Sequence, residues 1–177
     1  GTSVPNHWEP GIFMVRLPLV VHERLGVWAR QIRPRLASWP VRVVETRSVG
    51  DLTVALAPWP CPLAVIDVGK RARAALEALQ AALVISPGTM ALVIDAAAHP
   101  ALALVARELG ATHVLTGAVP PPLVASWLAR WIPLALRRAE AEGWSADREG
   151  EPEPWDGFLA GPAHARLGLA QTPPGRA

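Results

Sequence analysis

Hydrophobic positions along this chain alternate between two periods. Short runs of Val, Ile and Leu each end on a polar or small residue: Leu63-Ala64-Val65-Ile66-Asp67, Ala91-Leu92-Val93-Ile94-Asp95 and His113-Val114-Leu115-Thr116-Gly117. A stretch with helical spacing comes after each. Runs apolar at every position suit strands buried on both faces, as in a parallel sheet covered by helices. In such sheets ligands and chemistry gather beyond the carboxyl ends of the strands, which puts Asp67, Asp95 and Thr116 at the informative positions.

The remaining pattern supplies the other elements. Gly11–Leu17 reads as a first strand. Val21, Leu25, Trp28, Ile32 and Leu36 recur at spacings of three and four, predicting a helix over Leu19–Leu36 that Pro34 distorts or ends. Val41–Thr46 reads as a second strand, and a short helix capped by Ser48 or Asp51 runs to Ala57. The third strand spans Leu63–Val68, followed by an Ala/Leu-rich helix over Lys70–Leu83. A fourth strand, Met90–Asp95, leads to a helix over His99–Leu109, and a fifth, Thr112–Thr116, to a helix over Leu123–Glu142 kinked at Pro133. Five β-α repeats with right-handed crossovers predict a doubly wound α/β fold of flavodoxin-like strand order 2-1-3-4-5. Residues 1–10 read as an N-terminal arm, 11–144 as the α/β domain, and 145–177 as a Pro/Gly/Glu-rich tail with one apolar segment, Trp155–Leu159, able to dock.

Composition narrows the picture. With 51% hydrophobic and 18% charged residues, the 177-residue chain is expected to fold around a real core. Its apolar stretches are too interrupted to span a bilayer and no signal segment opens it, so a cytoplasmic protein is expected. A single cysteine, Cys61, agrees with a reducing compartment. Residues 1–144 hold 14 basic and 10 acidic side chains, a balance of +4 that falls short of a nucleic-acid surface.

No Gly-rich dinucleotide fingerprint, phosphate loop or Gly-x-Ser-x-Gly elbow occurs, so no cofactor is expected and Thr116-Gly117 stands alone as a phosphate approach. Asp67 also reads as a helix cap or an ion-pair partner of Lys70, and Asp95 as a cap for the turn into the fourth helix. Because neighbouring strands lie about 4.8 Å apart, Asp67 and Asp95 are expected close together, and His99 would complete an Asp/Asp/His set, although its spacing fits no metal signature and no metal site is assigned.

The element order, Asp67 in Leu-Ala-Val-Ile-Asp-Val-Gly, and the approach Gly110-Ala111-Thr112-His113 to the fifth strand together resemble the receiver domain of bacterial response regulators. The likeness covers about residues 11–142. It implies that Asp67 stands where that family carries its phospho-accepting aspartate. The family's other working parts are replaced. Arg16-Leu17-Pro18-Leu19 stands where its metal-holding acids come after the first strand, Asp95-Ala96-Ala97 replaces its Ser or Thr, and Thr116-Gly117-Ala118 replaces its Lys and Pro. Lone carboxylates hold Mg²⁺ poorly, an added carboxylate repels a phosphoryl oxygen, and no ammonium remains to neutralise developing charge.

The resemblance therefore implies a pseudo-receiver: a signalling module that is not phosphorylated, is not an enzyme and acts through protein–protein contact. The alternative is a small-ligand or metal-binding α/β domain using Asp67, Asp95 and Thr116. Eight tryptophans beside two phenylalanines and no tyrosine point to packing and contact surfaces. Trp127 and Trp131 lie one helical turn apart beside Arg130, a composition found at interface hot spots, so a protein partner or a second copy is expected on the last helix.

Overall fold

The computed structural model describes residues 16–144. Five strands and five helices alternate: β1 Leu17–His22, α1 Val27–Arg35, β2 Val41–Thr46, α2 Val49–Leu56, β3 Leu63–Asp67, α3 Ala72–Ile85, β4 Met90–Asp95, α4 Leu102–Glu108, β5 His113–Thr116 and α5 Pro121–Ala141. All strand pairs are parallel and the order is β2-β1-β3-β4-β5, the doubly wound order expected from the repeats. Proposed boundaries at residues 1–10 and 145–177, including Trp155–Leu159, lie outside the described residues.

Strand parity divides the core. Leu17, Leu19, Val21, Leu63, Val65, Leu92 and Ile94 face α1 and α5, where Ile32, Leu128, Trp131 and Ile132 cover them. The alternate positions Ile66, Ala91, Val93 and Val114 face α3 and α4, packing on Leu79, Leu102 and Ala106. α2 joins this second layer against α3 and β1. Every strand of the centre is thus apolar on both sides, which removes the period-two alternation from its sequence.

The first strand is the principal correction. It spans Leu17–His22 and shares only Leu17 with the expected Gly11–Leu17, of which 11–15 lie outside the described residues, and Leu19-Val20-Val21 belongs to it rather than to a helix. Leu17 pairs with Val41 of β2 and Leu19 with Leu63 of β3, so β1 lies at the centre of the sheet. Pro18 is tolerated there because Leu17 already donates toward β2, to Pro40 O at 2.9 Å. Alternation turns the missing donor of Pro18 toward β3, whose pairing begins only at Leu19. The predicted helical stripe is correct from Trp28 onward. Leu25, its supposed member, is 79% exposed, and Gly26 at φ 66 breaks the chain direction before α1 starts.

The lower rim of the sheet is closed by a backbone contact. A Cβ at Gly88 would stand 2.0 Å from Pro60 O, so only glycine fits the turn before β4. Ser86 Oγ donates to Trp59 O at 3.0 Å and Met90 N to Pro62 O at 3.0 Å, tying this turn to the segment entering β3. α5 continues as one helix through Pro133. No described helix is long and apolar enough to cross a membrane.

Candidate functional site

The carboxyl ends of the strands carry Glu23 just after β1, Thr46 on β2, Asp67 on β3, Asp95 on β4 and Thr116 on β5. The first strand ends on His22 and is followed by Glu23-Arg24, not by Arg16-Leu17-Pro18-Leu19, so a carboxylate does stand there.

Glu23 is buried, and both its oxygens are occupied. Oε2 accepts from Trp28 N at 2.8 Å and Oε1 from Ala29 N at 2.7 Å, satisfying two of the unpaired N–H groups at the start of α1. Gly26 precedes the helix without a capping side chain, so Glu23 does that work from across the loop. The same tryptophan reaches the neighbouring strand: Trp28 Nε1 donates to Asp67 Oδ1 at 3.3 Å. Burial pushes the Asp67 carboxyl above its ordinary range. The indole hydrogen bond and the Gly69 N–H pull it back, and the nearby Glu23 charge adds to the rise. Asp67 is therefore neither a cap of α3, which starts at Ala72 with no side-chain cap, nor an ion-pair partner of Lys70 among the described residues.

Asp95 has a different environment. It is 0% exposed; Oδ2 accepts from His99 N at 2.7 Å and Oδ1 lies 2.6 Å from His99 Nδ1. It holds the turn ahead of α4, in keeping with the capping role read from sequence, although the helix itself begins later, at Leu102. Thr116 pairs with Asp95 in the sheet and is exposed, and Gly117 N donates to Asp95 O at 2.9 Å.

The two aspartates do not form the close pair expected from strand adjacency. Asp67 registers with Ile94, so Asp95 falls on the opposite parity. Asp67 continues the face of Leu63 and Val65 toward α1, whereas Asp95 continues that of Ala91 and Val93 toward α4. Among the described residues no three His, Cys, Asp or Glu side chains are placed to hold a metal, and the Asp67/Asp95/His99 set is not assembled. On the far side, His22 Nδ1 lies 3.1 Å from Thr46 Oγ1. Burial lowers the imidazole's pKa, partly opposed by Asp51.

The last helix places its three predicted contact residues in different settings. Trp131 is 6% exposed and belongs to the core. Trp127 is half-buried, stacked on the His113 ring at 4.1 Å between centroids, with the exposed Arg130 guanidinium 5.2 Å from its ring centre. Burial lowers the pKa of His113, and Arg107 acts in the same direction.

Sequence reasoning missed Glu23 and Trp28. The signal was present: Leu17-Pro18-Leu19-Val20-Val21-His22-Glu23 has the same apolar run and polar ending as the three runs that were recognised.

No protein-family model and no curated protein matches the chain. Solved structures do. A response regulator from Thermotoga maritima superposes with a TM-score of 0.57 at 14% identity, over 67% of this chain and 98% of that one. A response regulator receiver domain protein from Methanospirillum hungatei JF-1 gives 0.54 at 16% identity, over 70% and 98%. A protein described as pilus assembly-related, from Burkholderia pseudomallei K96243, gives 0.52 at 22% identity, over 71% and 96%. Strand order, crossover pattern and these superpositions agree that the chain has the receiver-domain fold.

Proposed function

We propose that this chain is a pseudo-receiver: a receiver-like signalling module that works by protein contact and does not pass through an aspartyl phosphate. The observation that carries the reading is the occupancy of its carboxylates. Asp67 is capped by the Trp28 indole, and Glu23 spends both oxygens on the start of α1. Asp95 is buried against His99 in the place where a receiver offers a hydroxyl, and Thr116 replaces the lysine. A hard cation needs free carboxylate oxygens, and a phosphoryl group needs a cation beside it. At Asp67 one oxygen already accepts from Trp28, and Glu23 leaves no oxygen free beside it.

The contact surface in this reading is the edge formed by α4, β5 and α5. Along α5, Leu123, Trp127, Arg130 and Leu134 succeed one another at spacings of four, three and four, and Leu123 and Leu134 are 40% and 41% exposed. Apolar residues beside an aromatic ring and an arginine suit a protein partner or a second copy of the chain. Solved chains of this fold include response regulators and a pilus assembly-related protein, so the architecture serves more than one setting. A cytoplasmic location belongs to the same reading.

The test is incubation of the full chain with acetyl phosphate and Mg²⁺, followed by intact-mass measurement. Unchanged mass is the expected result, and a Mg²⁺-dependent gain of one phosphoryl group on Asp67 overturns the reading. Arg130→Glu with Leu134→Glu is expected to reduce self-association in sedimentation, or binding to an identified partner, while the fold is retained.

A further inference from the structure

We infer that the Asp95–His99 pair is a latch holding the segment between β4 and α4 in a strained turn, and that residues 96–105 open as a unit of their own. Two non-glycine residues in this short stretch adopt left-handed backbone: Ala98 at φ 51 and Ala101 at φ 59. They are the only such residues among those described. A Cβ in that region crowds the following carbonyl, and the conformation persists only where the surroundings impose it.

The imposing group is identifiable. Asp95 is fully buried on the last position of β4, and one residue engages both of its carboxyl oxygens, through the main-chain N–H and the ring Nδ1 of His99. His99 stands between the two strained alanines and is followed by Pro100, so fixing it at two points fixes the turn. The other hydrogen bonds of the turn run from Ala98 N to Asp95 O at 3.1 Å and from Leu102 N to His99 O at 3.3 Å. Both depend on the same two residues.

The helix beyond this turn has little hold of its own. α4 is seven residues long, without a side-chain cap, and buries only Leu102 and Ala106. A helix this short is not stable on propensity alone. Its outer side carries Leu104, 60% exposed, and Val105, 36% exposed. When His99 leaves Asp95, the alanines relax toward ordinary backbone, and the first turn of α4, bonded to His99 and Ala101, goes with them. Local opening of this kind, separate from global unfolding, is a general property of weakly packed segments. The inference does not depend on the function proposed above, since a ligand-binding domain with these residues would carry the same latch.

Amide hydrogen exchange of the full chain, read residue by residue, tests it. His99→Ala is expected to speed exchange at Ala98, Leu102 and Val105 by roughly tenfold or more, the scale of losing hydrogen bonds to a buried carboxyl group. Amides of β1 and α5 keep their wild-type rates. The pair Ala98→Gly and Ala101→Gly relieves the strain, slows exchange of the same amides, and removes most of the effect of His99→Ala when combined with it. Uniform acceleration over the whole chain, unchanged rates in the turn, or strictly additive effects of the glycine and His99 changes overturns the latch. If His99→Ala does not fold, the glycine pair alone decides: slower exchange supports stored strain, and equal or faster exchange refutes it.

Discussion

The indole N–H of Trp28 reaches 3.3 Å across the top of the sheet to Oδ1 of Asp67, joining the first turn of α1 to the last residue of β3. The same residue's main-chain N–H is held by Glu23. One tryptophan thus links both carboxylates: Glu23 is spent on holding the start of α1, and Asp67 accepts the indole N–H.

Asp67 should cost the domain stability at neutral pH. Burial raises its carboxyl above the ordinary value, so the folded state binds the proton more tightly than the unfolded chain. Stability from this group is therefore greatest at low pH and is lost as pH rises through the raised folded value. Asp67→Asn keeps an oxygen for the Trp28 indole and removes the charge. Thermal unfolding should show a higher midpoint for the variant than for wild type at pH 7, with the gap closing as pH falls toward the ordinary carboxyl value. An equal or lower midpoint at pH 7 contradicts the assignment.

Glu23 should be structural, and not replaceable by its amide. Glu23→Ala leaves two N–H groups of α1 without partners in a buried setting, a loss of about 3 kcal/mol. Glutamine offers one oxygen and turns an NH₂ toward the second N–H, so Glu23→Gln should recover less than half of the loss. Urea unfolding of both variants measures this directly.

Gly88 should not accept a methyl group. The obstacle is a carbonyl oxygen of the backbone, at 2.0 Å from the added Cβ, not a side chain that can swing away. Gly88→Ala is expected to lower stability by about 2 kcal/mol or more in denaturant unfolding, with no change in strand order. A neutral result would show that the 59–62 segment is free to shift.

Acid should weaken the domain through its histidines. Burial lowers the pKa of both His22 and His113, so the folded state binds fewer protons than the unfolded chain just below the ordinary value of 6.5. Their contribution is complete above that value and declines as pH falls through it toward the folded values. His22→Gln should flatten the fall in unfolding midpoint between about pH 7 and pH 5.5, because glutamine does not titrate.

Much of this architecture is legible in the sequence. β2 and β4 match the strands read from sequence, and β3 ends one residue earlier than read. Val/Ile/Leu runs bounded by proline and glycine admit little else. β1 was misplaced because Leu19, Val20 and Val21 merge with the helical spacing of Trp28, Ile32 and Leu36, while Pro18 argues against a central strand. That shift hid Glu23 and Trp28, which sit beyond the true end of β1. The separation of Asp67 from Asp95 was also out of reach. It depends on register, and pairing Asp67 with Ile94 instead of Asp95 turns the second carboxyl to the other face. The latch at His99 involves backbone angles that composition does not encode.

The receiver fold is proposed to stand here without a phosphoryl site at Asp67. Addition of beryllofluoride and Mg²⁺ to labelled protein, with the Trp28 indole N–H resonance as the readout, tests it most directly, because that proton points at the Asp67 carboxyl. An unchanged Trp28 signal at saturating concentrations of both reagents is the expected result. A saturable shift that requires Mg²⁺ and disappears in Asp67→Asn would contradict it.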